Sequence, residues 1–100
     1  MIATDNNFDN ILASHKLVLM DFWAEWCRPC KMFSPVIEEV SVDTGIWLGK
    51  INVDENPEKT LEYEVNSLPT TILFKDGLPV KKIIGAKPKH IMMKELEEWI

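Results

Sequence analysis

Leu17 to Trp23 reads Leu-Val-Leu-Met-Asp-Phe-Trp, a nearly continuous apolar run rather than an alternating one. A strand of that kind needs cover on both faces, so the chain has to supply helices to the two sides of one sheet. One acid, Asp21, interrupts the run. A carboxylate inside such a strand has nowhere polar to point, and burial raises its pKa toward neutrality, which suits a proton acceptor working near pH 7. The other reading open at this stage is an Asp at a strand end, solvated by a loop.

Directly after this run come Trp26-Cys27-Arg28-Pro29-Cys30, holding the only two cysteines of the chain, and directly after them a helical pattern begins. Residues three apart at a helix start have Cα atoms about 5 to 6 Å apart, inside the range a disulfide needs. The helix N-terminus stabilises a thiolate through its unpaired N–H groups and the positive end of its dipole. Together these point to a reversible dithiol/disulfide, with Cys27, nearest the helix tip, expected to be the exposed nucleophile and Cys30 the resolving thiol. A closed zinc site wants four ligands, and only His15 and His90 are on offer besides, far from the pair in sequence, so no metal is expected. A structural staple across so short a loop would add little, because the stabilisation grows with loop length.

A chain of 100 residues, 46% of them hydrophobic, is expected to be one domain, residues 1–100, with a core that needs neither disulfide nor metal. A formal charge of -5 and the lack of any basic cluster interleaved with aromatics argue against a nucleic-acid partner. The first residues carry no basic segment followed by an apolar stretch, and no run approaches the ~18 apolar residues of a membrane span, so the chain reads as cytoplasmic with no membrane partner. In that compartment cysteines persist mainly as thiols or working redox pairs, which favours catalysis over stapling.

The remaining elements follow from periodicity and turn chemistry. Phe8, Ile11 and Leu12 predict a short helix that Thr4 or Asp5 could cap. Met32, Phe33, Val36, Ile37 and Val40 give the helix after the cysteines an apolar stripe that continues past Pro35, so a kink is expected there rather than a break, and Gly45 stops it. A strand from Trp47 to Val53 precedes Asn56-Pro57, an N-cap and first helical residue for a helix through Leu61, Tyr63 and Val65. Thr70 to Lys75, the turn Asp76-Gly77 and Val80 to Ile84 predict an antiparallel hairpin. A last helix, opened by Lys87-Pro88-Lys89, carries Ile91, Met92, Leu96, Trp99 and Ile100 on one side, with Met92 and Met93 read as core filling. The sum is an α/β chain with a mixed sheet covered on both faces.

Asp21-Phe22-Trp23-Ala24-Glu25-Trp26-Cys27-Arg28-Pro29-Cys30-Lys31-Met32, then Lys50, Pro69-Thr70, Phe74-Lys75-Asp76-Gly77 and Gly85-Ala86, closely resemble the thioredoxin family over nearly the whole chain. The resemblance implies a thioredoxin fold, a central mixed sheet of four or five strands flanked by four helices, with a cis peptide bond between Leu68 and Pro69. It implies a protein-disulfide reductase in which Cys27 and Cys30 exchange disulfides, Asp21 serves as the base and Lys50, on the neighbouring strand, partly compensates the buried acid. A solvent-facing Lys50 stays open as well. Trp26, Arg28, Pro29, Leu68, Pro69, Gly85 and Ala86 are implied as the surface that meets the substrate, beside which an extended client segment could pair as an added strand. No cofactor is implied beyond the Cys27–Cys30 disulfide itself, with electrons coming from NADPH through thioredoxin reductase. The implied partners are that reductase and oxidised client proteins, and the implied state is a monomer.

Three departures from the family pattern stand out. Arg28 takes the place of the usual glycine between the cysteines, and a fixed positive charge there is expected to make the pair modestly more oxidising. Glu64 and Ser67 stand where glycine is common, and only Ile2-Ala3-Thr4 remain for the first edge strand. A second class of function is open to the same fold, a non-catalytic interaction module or subunit in which the cysteines are incidental. The joint presence of Cys27, Cys30, Asp21 and Pro69 favours the reductase. Glutathione-dependent chemistry is the third and weakest reading, because the C-R-P-C centre, Asp21 and Lys31-Met32 side with thioredoxins.

Overall fold

The apolar run forms β2, Leu17–Trp23, at the centre of a five-stranded sheet, and residues 1–100 are all described by the computed structural model. In chain order the elements are β1 (Ile2–Ala3), α1 (Phe8–Ser14), β2, α2 (Arg28–Thr44), β3 (Trp47–Asn52), α3 (Pro57–Glu62), β4 (Thr70–Lys75), β5 (Leu78–Ile84), α4 (Lys89–Leu96) and a closing 3-10 turn, Glu97–Trp99. The strands lie in the order β1-β3-β2-β4-β5. β2 runs parallel to β3 and antiparallel to β4, so the sheet is mixed as expected. The edge strand β1 keeps just two residues, parallel to β3. No helix is long and apolar enough to cross a membrane.

The alternation along β2 divides the core in two. Val18, Met20 and Phe22 join Phe8, Ile11 and Leu12 of α1 on one face, and Leu19 joins Phe33, Ile37 and Val40 of α2 and Met92 and Leu96 of α4 on the other. Asp21, two residues from Leu19, shares the face of α2. On the opposite face Phe8 stacks on Tyr63 at 5.4 Å and meets Phe74 edge-on at 5.7 Å. Phe8 and Phe74, both fully buried, contribute on the order of 1.5–3 kcal/mol each, and Tyr63 is half-buried. The buried Lys59 lies 5.3 Å from the Phe8 ring centroid. Burial pushes its ammonium toward neutrality, but hydrogen bonds to Glu62 and Asp9 outweigh this and hold its pKa above the ordinary lysine range.

Several local expectations are corrected. Asn7, not Thr4 or Asp5, is the N-cap of α1, and Thr4 and Asn7 close the preceding turn by exchanging bonds from backbone N–H to side-chain oxygen. Asn56 stands at the N-cap of α3 with Pro57 opening the helix, as expected, but the Asn56 side chain makes no capping bond. Its Oδ1 accepts from the Asp5 N–H, while the carboxylate of Asp5 accepts from the N–H groups of Glu58 and Lys59 at 3.2 and 2.9 Å. The anion thus satisfies two of the orphan donors of the first turn from more than fifty residues away. α3 stops at Glu62 and does not continue through Tyr63 and Val65, because Glu64 takes a positive φ of 52° that no helix accommodates. α2 runs unbroken through Pro35 and ends at Gly45, which takes the left-handed φ of 73° its Cβ-free backbone allows. Met32 leaves the apolar stripe of α2 and is 69% exposed. Asp76 and Gly77 both have positive φ, the geometry of a two-residue hairpin turn, and β5 starts at Leu78, two residues earlier than expected.

Candidate functional site

Cys27 is the N-cap of α2, with an extended backbone that turns the chain into the helix, and Pro29 occupies the first turn where its missing N–H costs nothing. The Cys30 N–H donates to Cys27 Sγ at 3.2 Å. A thiolate at that position receives the same bond together with the positive end of the helix dipole. The two residues are joined as a disulfide with Cα atoms 5.3 Å apart. Whole-residue exposure does not distinguish them, at 4% for Cys27 and 3% for Cys30, so the expectation of an exposed Cys27 is not met in the disulfide state. Ala24 packs with the pair, and Trp23, Val53 and Leu68 close around it.

The rim is assembled from three loops. Trp26 is 71% exposed and its indole N–H donates to Asp54 Oδ2 at 2.9 Å, which fixes the ring beside the cysteines. Arg28 and Pro29 are exposed at the start of α2. The Leu68–Pro69 bond is cis, as the resemblance implied. The Gly85 N–H donates to the Pro69 carbonyl at 2.8 Å, tying the loop after β5 to the loop before β4. Gly85 has a φ of 98°, open to glycine alone among common residues, and Ala86 beside it is exposed. Leu68 is therefore in contact with the cysteine cluster, and Pro69 and Gly85 are joined to each other.

Asp21 is 2% exposed, not a solvated strand end. Its pKa is raised from 3.8 to about 6, the net of burial, which pushes it up most, the nearby Lys50 ammonium, which pulls it down, and the Glu38 carboxylate, which pushes it up. Lys50 is the Cα partner of Asp21 on β3, yet its ammonium donates to Glu38 Oε1 at 2.8 Å and to the Ser34 hydroxyl, both on α2. It is neither a free solvent-facing lysine nor a direct ion-pair partner of the acid.

Ser34, Glu38 and Thr71 were not singled out from the sequence. Ser34 and Glu38 lie four apart on α2 and so share a helix face, which is the signal that could have joined them to Lys50. Thr71 is a hydroxyl beside the apolar stretch Ile72-Leu73-Phe74 of β4, opposite Asp21 in the register. No three His, Cys, Asp or Glu side chains come together as a metal site; His15 stacks on Trp47 at 4.8 Å and His90 is exposed on α4.

A model of the family described as Thioredoxin matches residues 1–98. The chain belongs to the thioredoxin family. It is 50% identical over 101 residues to a thioredoxin of Mycobacterium tuberculosis (strain ATCC 25618 / H37Rv), covering 98% of this chain and 87% of that one. A bifunctional thioredoxin reductase/thioredoxin of Mycobacterium leprae (strain TN) is 47% identical over 95 residues, covering 93% of this chain and 21% of that longer protein. Among solved structures, a mutant thioredoxin from Halobacterium salinarum NRC-1 superposes with a TM-score of 0.92 at 32% identity, covering 99% of this chain and 88% of that one. The five-stranded mixed sheet with four helices is the thioredoxin fold, and the chain is a protein-disulfide oxidoreductase of the C-x-x-C type that works by dithiol–disulfide exchange.

Proposed function

We propose that residues 1–100 act as one catalytic domain that reduces protein disulfides, with Cys27 as the attacking and Cys30 as the resolving thiol. The observation that carries this reading is the seat of Cys27 at the N-cap of α2, where its sulfur accepts the Cys30 N–H. The Cys27 thiolate attacks one sulfur of a client disulfide, forming a mixed disulfide and releasing the first client thiolate. Cys30 loses its proton to Asp21, and its thiolate attacks Cys27 Sγ, forming the Cys27–Cys30 disulfide and releasing the second client thiolate. Two electrons pass from the dithiol to the client. A carboxyl with pKa about 6 takes up that proton and returns it near neutral pH, and Lys50 keeps it from rising further.

Clients are held by Trp26, Arg28, Pro29, Leu68, Pro69, Gly85 and Ala86. Pro69 has no N–H and its carbonyl is taken by Gly85. That leaves the N–H and carbonyl of Leu68 as the backbone groups with which an extended client segment pairs, next to the cysteine cluster that Leu68 touches. So shallow a contact suits many clients. The oxidised pair is returned to the dithiol by a thioredoxin reductase drawing on NADPH, a partnership for which the fused Mycobacterium leprae relative speaks by its name. The protein works as a monomer in the cytoplasm, with neither nucleic acid nor membrane as partner.

The test is a trap. Cys30→Ser, reduced and mixed with oxidised insulin, accumulates a covalent complex that dithiothreitol releases, and Cys27→Ser accumulates none. A complex formed by Cys27→Ser instead reverses the two roles.

A further inference from the structure

Register sets a row of four side chains across the sheet on the face of α2: Lys50 on β3, Asp21 on β2, Thr71 on β4 and Ile83 on β5. Directly opposed residues of an antiparallel pair point to the same face with Cβ atoms about 4.5–5.5 Å apart. Asp21 and Thr71 are 2% and 1% exposed. Asp21 Oδ1 and Thr71 Oγ1 are also the two buried side-chain oxygens of the molecule that have no hydrogen-bond partner. Buried polar atoms are satisfied as a rule. In this disulfide form they do not bond each other, yet they are complementary, since a hydroxyl rotates to donate or accept while an ionised carboxylate accepts only.

We propose that Thr71 is a positioning residue for the exchange reaction: in the dithiol form its hydroxyl turns to donate to Oδ1 of the ionised Asp21 carboxyl, accepts from it when protonated, and so holds that carboxyl through its proton exchange with Cys30. The proposal rests on Asp21 being the proton acceptor. The charged groups that act on Asp21 are Lys50 from β3 and Glu38 from α2. The rest of this face, from Leu73 and Ile83 of the sheet to Phe33 of α2 and Met92 of α4, is apolar. A hydroxyl donor in that setting favours the charged form of the acid, against the effect of burial.

The experiment follows the Asp21 carboxyl carbon by NMR through a pH titration of the reduced protein in the wild type, Thr71→Val and Thr71→Ser. It also measures the pH profile for resolution of a mixed disulfide by Cys30. Thr71→Val keeps the branched shape and removes the hydroxyl, and the titration midpoint moves up by about 1 pH unit. Thr71→Ser returns it toward the wild-type value, and the rate profile of Thr71→Val shifts to higher pH with the midpoint. An unchanged midpoint in Thr71→Val, or equal shifts in both variants, overturns the proposal. A midpoint that moves while the rate profile stays in place, with Asp21→Asn also leaving the profile unaltered, supports the hydrogen bond and overturns the role of Asp21 as acceptor.

Discussion

Lys50 sits beside Asp21 across the β2–β3 pair, yet its ammonium is bonded to Glu38 and Ser34 of α2 and not to the carboxylate. Its influence on the acid is therefore through space, and the helix decides how strong it is. Glu38 acts twice, once by its own negative charge and once by holding the lysine on α2.

Substitution of the two partners shifts the acid in opposite directions. Lys50→Met removes the charge that lowers the Asp21 pKa, and the carboxyl midpoint rises by about 1 pH unit. Glu38→Gln removes a charge that raises it and frees Lys50 to turn toward the acid, so the midpoint falls by a smaller amount. A carboxyl-carbon NMR titration of each variant checks both signs.

Stability should follow the same group. The Asp21 pKa is about 6 in the folded chain against 3.8 for an ordinary aspartate. Between those values the folded chain holds a proton that the unfolded chain has lost, so stability falls as pH rises from about 4 to 6. The gap is worth about 3 kcal/mol at most. Asp21→Asn is expected to unfold in urea at a higher midpoint than the wild type at pH 7, by up to that amount, and to show no gain below pH 4. The same variant resolves mixed disulfides more slowly near neutral pH.

The charge between the cysteines is the next test. Arg28 is exposed, and a cation roughly 7 Å from the Cys27 sulfur at an effective dielectric near 40 favours the thiolate by about 1 kcal/mol. That corresponds to about 20 mV, so Arg28→Gly lowers the reduction potential by no more than this. Equilibration with dithiothreitol buffers, read by the fluorescence of Trp26, measures the change; a rise in potential contradicts the account.

Removing the long-range cap should weaken the fold without touching the chemistry. Asp5→Ala leaves the N–H groups of Glu58 and Lys59 without their acceptor and costs about 1–2 kcal/mol in urea unfolding, while the reduction potential stays at the wild-type value.

What the chain discloses before folding is what local chemistry settles. β4 was legible at its full length, Thr70 to Lys75, because the run is apolar and a two-residue turn with an unmistakable glycine follows it. Asp21 was legible because an acid in a continuous apolar run is an anomaly. The misses depend on contacts distant in sequence. Asn56 has the right residue type to cap its own helix, but Asp5 reaches the same N–H groups and Asn56 turns to hold Asp5 in place. Tyr63 and Val65 fit a helical period and do pack in the core, yet the backbone at Glu64 has left the helix before Val65. Ser34, Glu38 and Thr71 join the site through strand pairing and helix docking, which no short window displays.

Asp21 also bears on how β2 aligns with its neighbours. Sliding that strand by a single position would carry every side chain to the other side of the sheet. The acid would then enter the aromatic cluster around Phe8 and Tyr63, and Phe22 would be turned toward α2. Mispairing is thus penalised at the residue where the chemistry is proposed, so a substitution that makes β2 wholly apolar removes a guard on alignment along with the proton acceptor.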